Sequence, residues 1–362
     1  MKAEVIYNFG PGPAMLYPEV LREAHEELLD FGDRGMSIME MSHRGAEFMA
    51  IAETAERDLR DLMQVPAHYE VLFLQGGATG QCAAVPMNLL RGKTSADYVN
   101  TGHWSERSIA EAKKYCDVKI VASSEDKNFT YAPKQSEWRL SKDAAYVHYV
   151  SNETIHGVEF HSIPEAGNVP LVADMSSNIL SREIDVSRFG LIYAGAQKNI
   201  GPAGVTVVIV REDLTEQAMN GTPAILDYAL QAKNGWMFNT PPTFAIYMAG
   251  LTFKRMKQQG GVKEIEKQNI AKAKLLYDYL DSTEFYRSPV AQADRSRMNV
   301  PFFLQDGALD EAFLRQAKER SLLQLKGHRA LGGMRASIYN PMPLAGVRAL
   351  VNFMREFERE SG

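Results

Sequence analysis

A single lysine, Lys198, lies in a loop of small residues that could accommodate a flat ligand. The stretch from Tyr193 to Gly204 reads Tyr-Ala-Gly-Ala-Gln-Lys-Asn-Ile-Gly-Pro-Ala-Gly. Its glycines and alanines leave room for a planar group close to the backbone. The apolar run Val205–Val210 follows and predicts a buried strand. A lysine in this setting can capture a carbonyl compound as a Schiff base, and a solvated surface lysine is the alternative interpretation.

A carboxylate, Asp174, is predicted at the end of a neighbouring strand. The apolar residues Pro170–Ala173 read as that strand, and Asp174 follows at its carboxyl end. In open α/β sheets, ligands bind at this edge. Pyridoxal phosphate requires a lysine for its aldehyde and a carboxylate for its ring nitrogen, so that the ring can take up electrons. Asp174 and Lys198 on neighbouring strand ends therefore predict a site for this cofactor.

The composition is typical of a globular protein and argues against several classes. The chain has 362 residues, of which 45% are hydrophobic and 23% are charged, and its formal net charge is −5. This length allows two domains, and the negative charge argues against nucleic acid or an anionic membrane as the main partner. Two cysteines, Cys82 and Cys116, do not make a disulfide framework. Without an apolar signal core or a membrane-spanning run of roughly 20 apolar residues, we expect a cytoplasmic location.

Apolar runs alternate with helices or long connections and predict a doubly wound, mostly parallel sheet. Around Gln75–Gln81, a strand, a glycine-rich turn and a helix follow one another, and such a turn can present backbone N–H groups to phosphate. Trp104 is expected on a loop at a strand end, where it could stack on an aromatic cofactor or merely pack. Thr154 is expected in the loop 151–157 after another strand, where it could reach a ligand or make a turn hydrogen bond.

The pair Gly260-Gly261 is predicted to mark a domain boundary. We expect a large α/β domain at residues 16–260 and a small α+β domain formed by residues 1–15 and 261–362. The small domain is predicted to contain strands at 299–304 and 337–339 and helices at 309–320 and 343–360.

Two groups of basic residues are candidate ligands for an anion. His43 and Arg44 are adjacent in an irregular stretch between helices. His328, Arg329 and Arg335 crowd a glycine-bearing turn. Arginine forks bind carboxylate and phosphate, so in a chain of negative net charge these groups suggest a small anionic ligand. Solvated basic loops are the common alternative.

Six stretches, in order along essentially the whole chain, closely resemble the phosphoserine aminotransferase family. That family is a class V, fold-type I group of pyridoxal-phosphate-dependent enzymes of serine biosynthesis. The resemblance implies a large domain with a mostly parallel sheet, a smaller C-terminal α+β domain and a homodimer. The stretches are Met41–Arg44, Asn152–Thr154, Tyr193–Gly204, Phe238–Pro242, Arg297–Pro301 and Gly327–Asn340.

The resemblance also implies a role for each matching residue. Lys198 would form the Schiff base with pyridoxal phosphate and move the substrate proton, and Asp174 would pair with the ring nitrogen. Trp104 would stack on the ring, and Thr154 would hydrogen-bond near its 3-hydroxyl. The cofactor phosphate would be held by Ala78, Thr79 and Gln197, and by Asn239 and Thr240 from the partner subunit. The substrate would be bound by Arg335 at its α-carboxylate, and by His43, Arg44, His328 and Arg329 at its phosphate or at the side-chain carboxylate of glutamate.

The implied reaction transfers an amino group reversibly between L-glutamate and 3-phosphooxypyruvate, giving 2-oxoglutarate and O-phospho-L-serine. In some bacteria the family also forms 4-phosphooxy-L-threonine for vitamin B6 (pyridoxine) biosynthesis, and the sequence leaves this second reaction open. Thr79 stands where some members carry an arginine that helps to bind substrate phosphate, so this contact is also open. Leu16-Tyr17-Pro18 replaces the more usual Leu-Pro, which indicates a local loop change.

Three other functions are alternatives. A cysteine desulfurase would need a nucleophilic cysteine on a loop in the later half of the chain, and neither Cys82 nor Cys116 lies there. An alanine–glyoxylate type aminotransferase would not need the two basic groups. A non-catalytic ligand-binding protein with the same fold is not excluded by fold alone, but the full set of cofactor residues argues against it.

Overall fold

The computed structural model describes residues 5–362. Residues 1–4, which the sequence assigns to the small domain and to a terminus without a signal core, lie outside the described part. The described helices are α1 (Pro18–Glu27), α2 (Ala46–Met63), α3 (Gly77–Leu89), α4 (His103–Ala112), α5 (Tyr228–Lys233), α6 (Thr243–Gln258), α7 (Gly261–Leu280), α8 (Asp310–Glu319) and α9 (Leu344–Ser361). The described strands are β1 (Tyr7–Asn8), β2 (Tyr69–Leu74), β3 (Ser95–Asn100), β4 (Asp117–Ser123), β5 (Val147–Val150), β6 (Asn152–Glu153), β7 (Val158–Glu159), β8 (Leu171–Asp174), β9 (Leu191–Gly195), β10 (Thr206–Arg211), β11 (Tyr286–Arg287), β12 (Asn299–Leu304), β13 (Leu322–Leu323) and β14 (Met334–Ser337).

A seven-stranded sheet forms the centre of the large domain. Its strand order is β2-β10-β9-β8-β5-β3-β4. The pairs among β9, β8, β5, β3 and β4 are parallel, which confirms the predicted mostly parallel sheet. Strand β10 is antiparallel to both of its neighbours, β9 and β2. The chain returns into β10 directly after the lysine loop, and such a short connection cannot form the crossover that a parallel pair needs.

Two hydrophobic clusters are present in the described part of the chain. The larger runs from Tyr17 to Ile265 and includes the central sheet, and the smaller contains Phe9 together with residues between Ala273 and Phe357. Helix α7 contributes to both clusters, so one continuous helix joins them. The larger cluster extends past Gly260 to Ile265, and the predicted domain limits remain a prediction.

Three local predictions were wrong. Trp104 lies in the first turn of α4 rather than on a loop, because a buried carboxylate caps that helix at its backbone N–H groups. The strand expected at 337–339 is β14, which ends at Ser337 because its ladder with β12 ends there. Residues 151–157 are not a simple loop, since β6 and β7 form a two-stranded hairpin within and beyond them. The other strands and helices quoted for the small domain agree with the structure to within one residue.

Within residues 5–362, no helix combines the length and the apolar character that crossing a membrane would require.

Gly157 offers a test of how tightly the hairpin packs against the small domain. Its φ is +72°, and a Cβ atom there would lie 2.3 Å from Cδ of Pro301 in β12. We expect Gly157→Ala to lower the free energy of unfolding by about 3 kcal/mol, because left-handed backbone strain and overpacking add together. Urea unfolding at fixed protein concentration measures this change.

Gly167 provides the matched control. Its φ of +63° is similar, but nothing lies within 4 Å of the position of a Cβ atom. Gly167→Ala should therefore cost only the backbone strain, about 1 kcal/mol. Equal losses in the two variants would contradict close packing of the hairpin against β12.

Candidate active site

Lys198 lies at the carboxyl-end edge of the central sheet, in the turn between β9 and β10. Its side chain is only 8% exposed. Its Nζ donates a hydrogen bond of 2.7 Å to Oγ1 of Thr154 and lies 5.5 Å from the ring centre of Trp104. The structure therefore brings these three predicted site residues together.

Asp174 ends β8 and influences the charge of Lys198. Burial raises the pKa of Asp174, while the charge of Lys198 and hydrogen bonds from Ser176 oppose that rise. Burial lowers the pKa of Lys198 to about 8, and the negative charges of Asp174 and Glu153 limit the drop. A lysine with this pKa is partly neutral near pH 8, and only the neutral amine can attack a carbonyl carbon. The environment thus prepares Lys198 to act as a nucleophile.

Two buried residues behind Asp174 were missed by the sequence analysis. Tyr193 is paired with Asp174 in the parallel ladder, and its hydroxyl lies 2.9 Å from Nε2 of His148. Burial lowers the pKa of His148 to about 3, so its ring is neutral. The ring of Tyr98 stacks on the imidazole of His148, and the two ring centres are 4.8 Å apart. The signal in the sequence was a histidine inside an apolar strand, next to the strand that ends in Asp174.

Glu153, also missed, caps the helix that carries Trp104. It is fully buried, and its two carboxylate oxygens accept the backbone N–H groups of Ser105 at 2.9 Å and Trp104 at 3.2 Å. Burial raises the pKa of Glu153 to about 7, although these hydrogen bonds oppose the rise. A Cβ atom on Gly102 would lie 2.8 Å from this carboxyl carbon, so the close approach requires glycine. An acid directly before Thr154 was the available signal.

The turn from β2 into α3 presents backbone N–H groups. Gly76 and Gly77 have φ values of +94° and +65°, which glycine adopts without strain. Ala78 and Thr79 follow in the first turn of α3, where backbone N–H groups have no partner within the helix and favour an anion. The phosphate site predicted at this turn remains a prediction.

The lysine loop has a second polar member, Gln197. The side-chain oxygen Oε1 of Gln197 lies close to the backbone of Gly195, and a Cβ atom added to Gly195 would be 2.7 Å from it. Its backbone carbonyl accepts the N–H of Ala14 at 2.9 Å, which ties the N-terminal segment to the loop. Gln197 is therefore fixed beside Lys198.

Asn239 and Thr240 are exposed in the single chain. The carbonyl of Thr240 accepts a hydrogen bond of 3.1 Å from Nε2 of Gln75, at the turn before α3. These two residues thus lie close to the turn of their own chain.

Arg335 is a buried cation in β14. It is 5% exposed, and within residues 5–362 its Nε has no hydrogen-bond partner. Burial lowers its pKa. A buried guanidinium is stable only with acceptors around it, so its environment suits a carboxylate ligand.

The remaining basic residues separate into two places. The ring of His328 lies 5.5 Å from that of His103, and His103 lies 5.4 Å from the ring of Trp104. Arg329 is exposed beside His328. His43 is half-buried and Arg44 is exposed in the segment before α2, and within residues 5–362 no hydrogen bond or ring contact joins them to this group.

The chain is similar to proteins of one family throughout its length. The model of the family described as aminotransferase class-V matches residues 6–350. A phosphoserine aminotransferase of Nitrosomonas europaea is 62% identical, with 98% of each chain covered. The solved structure of phosphoserine aminotransferase from Bacillus circulans subsp. alkalophilus has a TM-score of 0.97 at 47% identity and covers 99% of both chains. That of PLP-bound phosphoserine aminotransferase from Trichomonas vaginalis has a TM-score of 0.93 at 41% identity and covers 97% of this chain and 100% of the other.

The raised pKa of Glu153 predicts a pH dependence of stability. The folded protein binds a proton here up to about pH 7, whereas the unfolded chain releases it near 4.5, the usual pKa of a glutamate. This contribution to stability is therefore present below pH 4.5 and is lost as the pH rises through 7. Relative to Glu153→Gln, the wild type should lose up to about 3 kcal/mol of unfolding free energy over this range. Urea unfolding at pH 5, 6, 7 and 8 measures the difference.

Glu216→Gln, at an exposed position, is the control and should follow the wild type at every pH. If Glu153→Gln also followed the wild type, Glu153 would not titrate in this range.

Proposed function

The chain belongs to the aminotransferase class-V family, and we propose that it transfers an amino group reversibly between L-glutamate and 3-phosphooxypyruvate, giving 2-oxoglutarate and O-phospho-L-serine. This is a step of L-serine biosynthesis. The observation that carries the proposal is the buried Lys198, whose pKa is lowered to about 8, beside Asp174 at the sheet edge. High identity to phosphoserine aminotransferases supports the choice of substrates.

The donors at this edge fit pyridoxal phosphate. Lys198 offers an amine for the aldehyde, Asp174 offers a buried carboxylate for the ring nitrogen, and the turn into α3 offers N–H groups for the phosphate. When bound, the cofactor supplies an electron sink for the carbanion formed at the substrate α-carbon. Ala78, Thr79 and Gln197 hold its phosphate in this proposal.

Lys198 moves the reacting proton. In its neutral form it accepts the proton from the substrate α-carbon. Its hydrogen bond to Thr154 keeps Nζ at the sheet edge, where the aldehyde of the cofactor would meet it. Asp174 must stay ionised to pair with a protonated ring nitrogen. The N–H of Ser176, which donates to Asp174 Oδ1 at 2.8 Å, favours the ionised form, and Tyr193 is held beside it by His148.

Trp104 covers the site and excludes water from it. Its indole lies next to Nζ of Lys198, and Glu153 fixes the helix turn from which it projects. Exclusion of water strengthens the electrostatic interactions on which proton transfer depends. In this proposal Trp104 stacks on the ring of the cofactor and Thr154 hydrogen-bonds near its 3-hydroxyl.

In this proposal, different basic residues bind the two ends of the substrate. Arg335, buried and short of acceptors, binds the α-carboxylate. His328, Arg329, His43 and Arg44 bind the phosphate of one substrate pair and the side-chain carboxylate of the other.

The same site could form 4-phosphooxy-L-threonine, and we propose this pyridoxine-pathway reaction as a second activity. A cytoplasmic location is also proposed, and it is consistent with the two free cysteines.

A homodimer completes the site in this proposal. His43 and Arg44 form no hydrogen bond with the rest of the basic group in the described chain, and two methionines before them, Met36 and Met39, are 44% and 57% exposed. Exposed apolar side chains beside unused site residues suit an interface between copies.

Cysteine chemistry is disfavoured. Burial raises the pKa of Cys82 and raises that of Cys116 to about 11, so neither thiol is ready to act as a thiolate nucleophile. The sulfur of Cys82 lies 3.3 Å from Oγ of Ser108 inside the large domain.

An absorbance spectrum of the purified protein tests the proposed reaction. We expect a visible band from the cofactor that disappears when O-phospho-L-serine is added, because the amino group is transferred. A band that responds to L-alanine but not to O-phospho-L-serine would overturn the substrate assignment. No band, even after pyridoxal phosphate is added, would overturn the enzymatic function.

Lys198→Ala should abolish turnover, and borohydride reduction followed by peptide mass spectrometry should place the cofactor adduct of the wild type on Lys198. Lys272 is the internal comparison, because it is also buried and its pKa is lowered to about 7. Its amine instead donates to two backbone carbonyls. Lys274→Ala, at an exposed position, should leave turnover unchanged. An adduct on Lys272 would contradict the assignment.

Hybrid dimers test which subunit supplies Asn239 and Thr240. One subunit carries Lys198→Ala and the other carries Asn239→Ala with Thr240→Ala, each with its own affinity tag. If the two residues serve the partner's site, the hybrid has one intact site and about half of the wild-type turnover at limiting pyridoxal phosphate, whereas both parents are nearly inactive. A hybrid no more active than its parents would mean that they serve their own chain, as the contact between Gln75 and Thr240 permits.

A further inference from the structure

We propose that His103 is a specificity residue for the phosphate of the substrate. Its imidazole, next to that of His328, donates a hydrogen bond to the phosphate and so favours phosphorylated substrates over dicarboxylates. The inference rests on the proposed function and extends it, because neither the sequence pattern nor the resemblance gave His103 a role.

His103 is the first residue of α4 and is half-buried next to Trp104. Its ring meets the ring of Trp104 edge-on at 5.4 Å and lies 5.5 Å from the ring of His328. Nζ of Lys198 lies 5.5 Å from the same indole. These contacts run from Lys198 through Trp104 and His103 to His328, so His103 lies beside the route from the reacting amine to the basic turn.

The tautomer of His328 is fixed by a backbone group. Its Nδ1 accepts the N–H of Ala330 at 3.2 Å, so in the neutral ring the proton is on Nε2. Burial lowers the pKa of His328, and the charges of Arg335, His103 and Arg329 lower it further. His328 thus contributes a neutral N–H donor, and further donors for a doubly charged phosphate must come from its neighbours.

The ring of His103 is free to donate to a ligand. The contacts that the structure gives it within residues 5–362 are the two aromatic ones, to Trp104 and His328. Other histidines are committed elsewhere: Nε2 of His148 bonds the hydroxyl of Tyr193, and Nε2 of His161 bonds the carbonyl of Arg295.

The surroundings of His103 are rich in positive charge. The guanidinium of Arg107 lies 5.9 Å from the ring centre of Trp104, one turn further along α4. The nearby acid, Glu153, directs both of its oxygens to backbone N–H groups of the helix. Burial, and then the charges of His103 and His328, lower the pKa of His156 to about 4. Glu106, the acid in the first turn of α4, is exposed. Within residues 5–362, no group of three or more His, Cys, Asp or Glu side chains is arranged to hold a metal ion. The positive groups around His103 suit an anionic ligand.

Phosphate gains more from an additional donor than carboxylate does. A phosphomonoester has three terminal oxygens and a charge of about −1.5 to −2 near neutral pH, whereas the side-chain carboxylate of glutamate has two oxygens and one charge. Two oxygens are satisfied by the fork of one arginine such as Arg329. The three oxygens of the phosphate offer more acceptor positions than a carboxylate, so His103 donates there together with His328, Arg329, His43 and Arg44. A site donor that only one substrate uses gives specificity.

Two substitutions separate donation from packing. His103→Phe keeps an aromatic ring against Trp104 and removes both ring nitrogens, whereas His103→Asn keeps an N–H donor and loses the ring. The holoenzyme of each variant is titrated with O-phospho-L-serine and with L-glutamate, and the half-reactions are followed by absorbance. We expect His103→Phe to raise the half-saturating concentration of O-phospho-L-serine about tenfold and that of L-glutamate less than about twofold. His103→Asn should recover most of the loss.

Three outcomes would overturn the inference. The first is a His103→Phe variant with unchanged affinity for O-phospho-L-serine, and the second is an equal loss for both substrates, which indicates a general role in positioning Trp104. The third is a His103→Asn variant as impaired as His103→Phe, which indicates packing. His25→Phe, at an exposed position on α1, is the control and should behave as wild type. Failure of the proposed function is distinguishable, because the wild type would then not respond to O-phospho-L-serine.

Discussion

The burial of two opposite charges, Lys198 and Asp174, at one edge of the sheet is the constraint on which the rest of the site depends. Neither group is stable there alone, because burial favours the uncharged form of each. Asp174 is kept ionised by Lys198 and by Ser176, and Lys198 is held by Thr154 and by the charges around it. The compensation is incomplete, and this leaves the pKa of Lys198 near 8. The same imbalance that costs stability makes the amine available for chemistry.

The surrounding structure holds the lysine loop from the side of the small domain as well. Asn199, directly after Lys198, donates to the carbonyl of Ile179 and accepts the N–H of Asn340. The side-chain oxygen of Asn340 in turn accepts a hydrogen bond from Asn269 of α7 at 2.9 Å. These buried amides link the helix that joins the two hydrophobic clusters to the residue beside the nucleophile. A buried hydrogen-bond network of this kind fixes geometry more strictly than apolar packing, because a shift breaks bonds that the buried groups cannot replace.

The sequence was sufficient for those features that depend on neighbours along the chain. Three features were visible as local patterns: Lys198 in its small-residue loop, Asp174 at a strand end and the turn at Gly76. Each of them lies at an end of a strand of the central sheet. The role of Glu153 was not visible, because it accepts the N–H groups of Trp104 and Ser105, which lie 49 and 48 residues earlier, whereas capping signals are read within one helix turn. The contact between Tyr193 and His148 was not predicted for the same reason, since it joins β9 and β5, which are not adjacent in the sheet.

The features that mark this site most clearly are polar groups that the protein leaves without partners. Buried polar atoms are almost always hydrogen-bonded, and each exception costs stability. Within residues 5–362 the exceptions include Nε of Arg335, Nε1 of Trp104 and Nδ1 of His156, all around the same helix end and basic turn. A fold that buries a cation without an acceptor is stabilised further by any anion that supplies one. In a chain whose net charge is −5, positive groups concentrated at this one edge therefore indicate ligand binding rather than a general property of the surface.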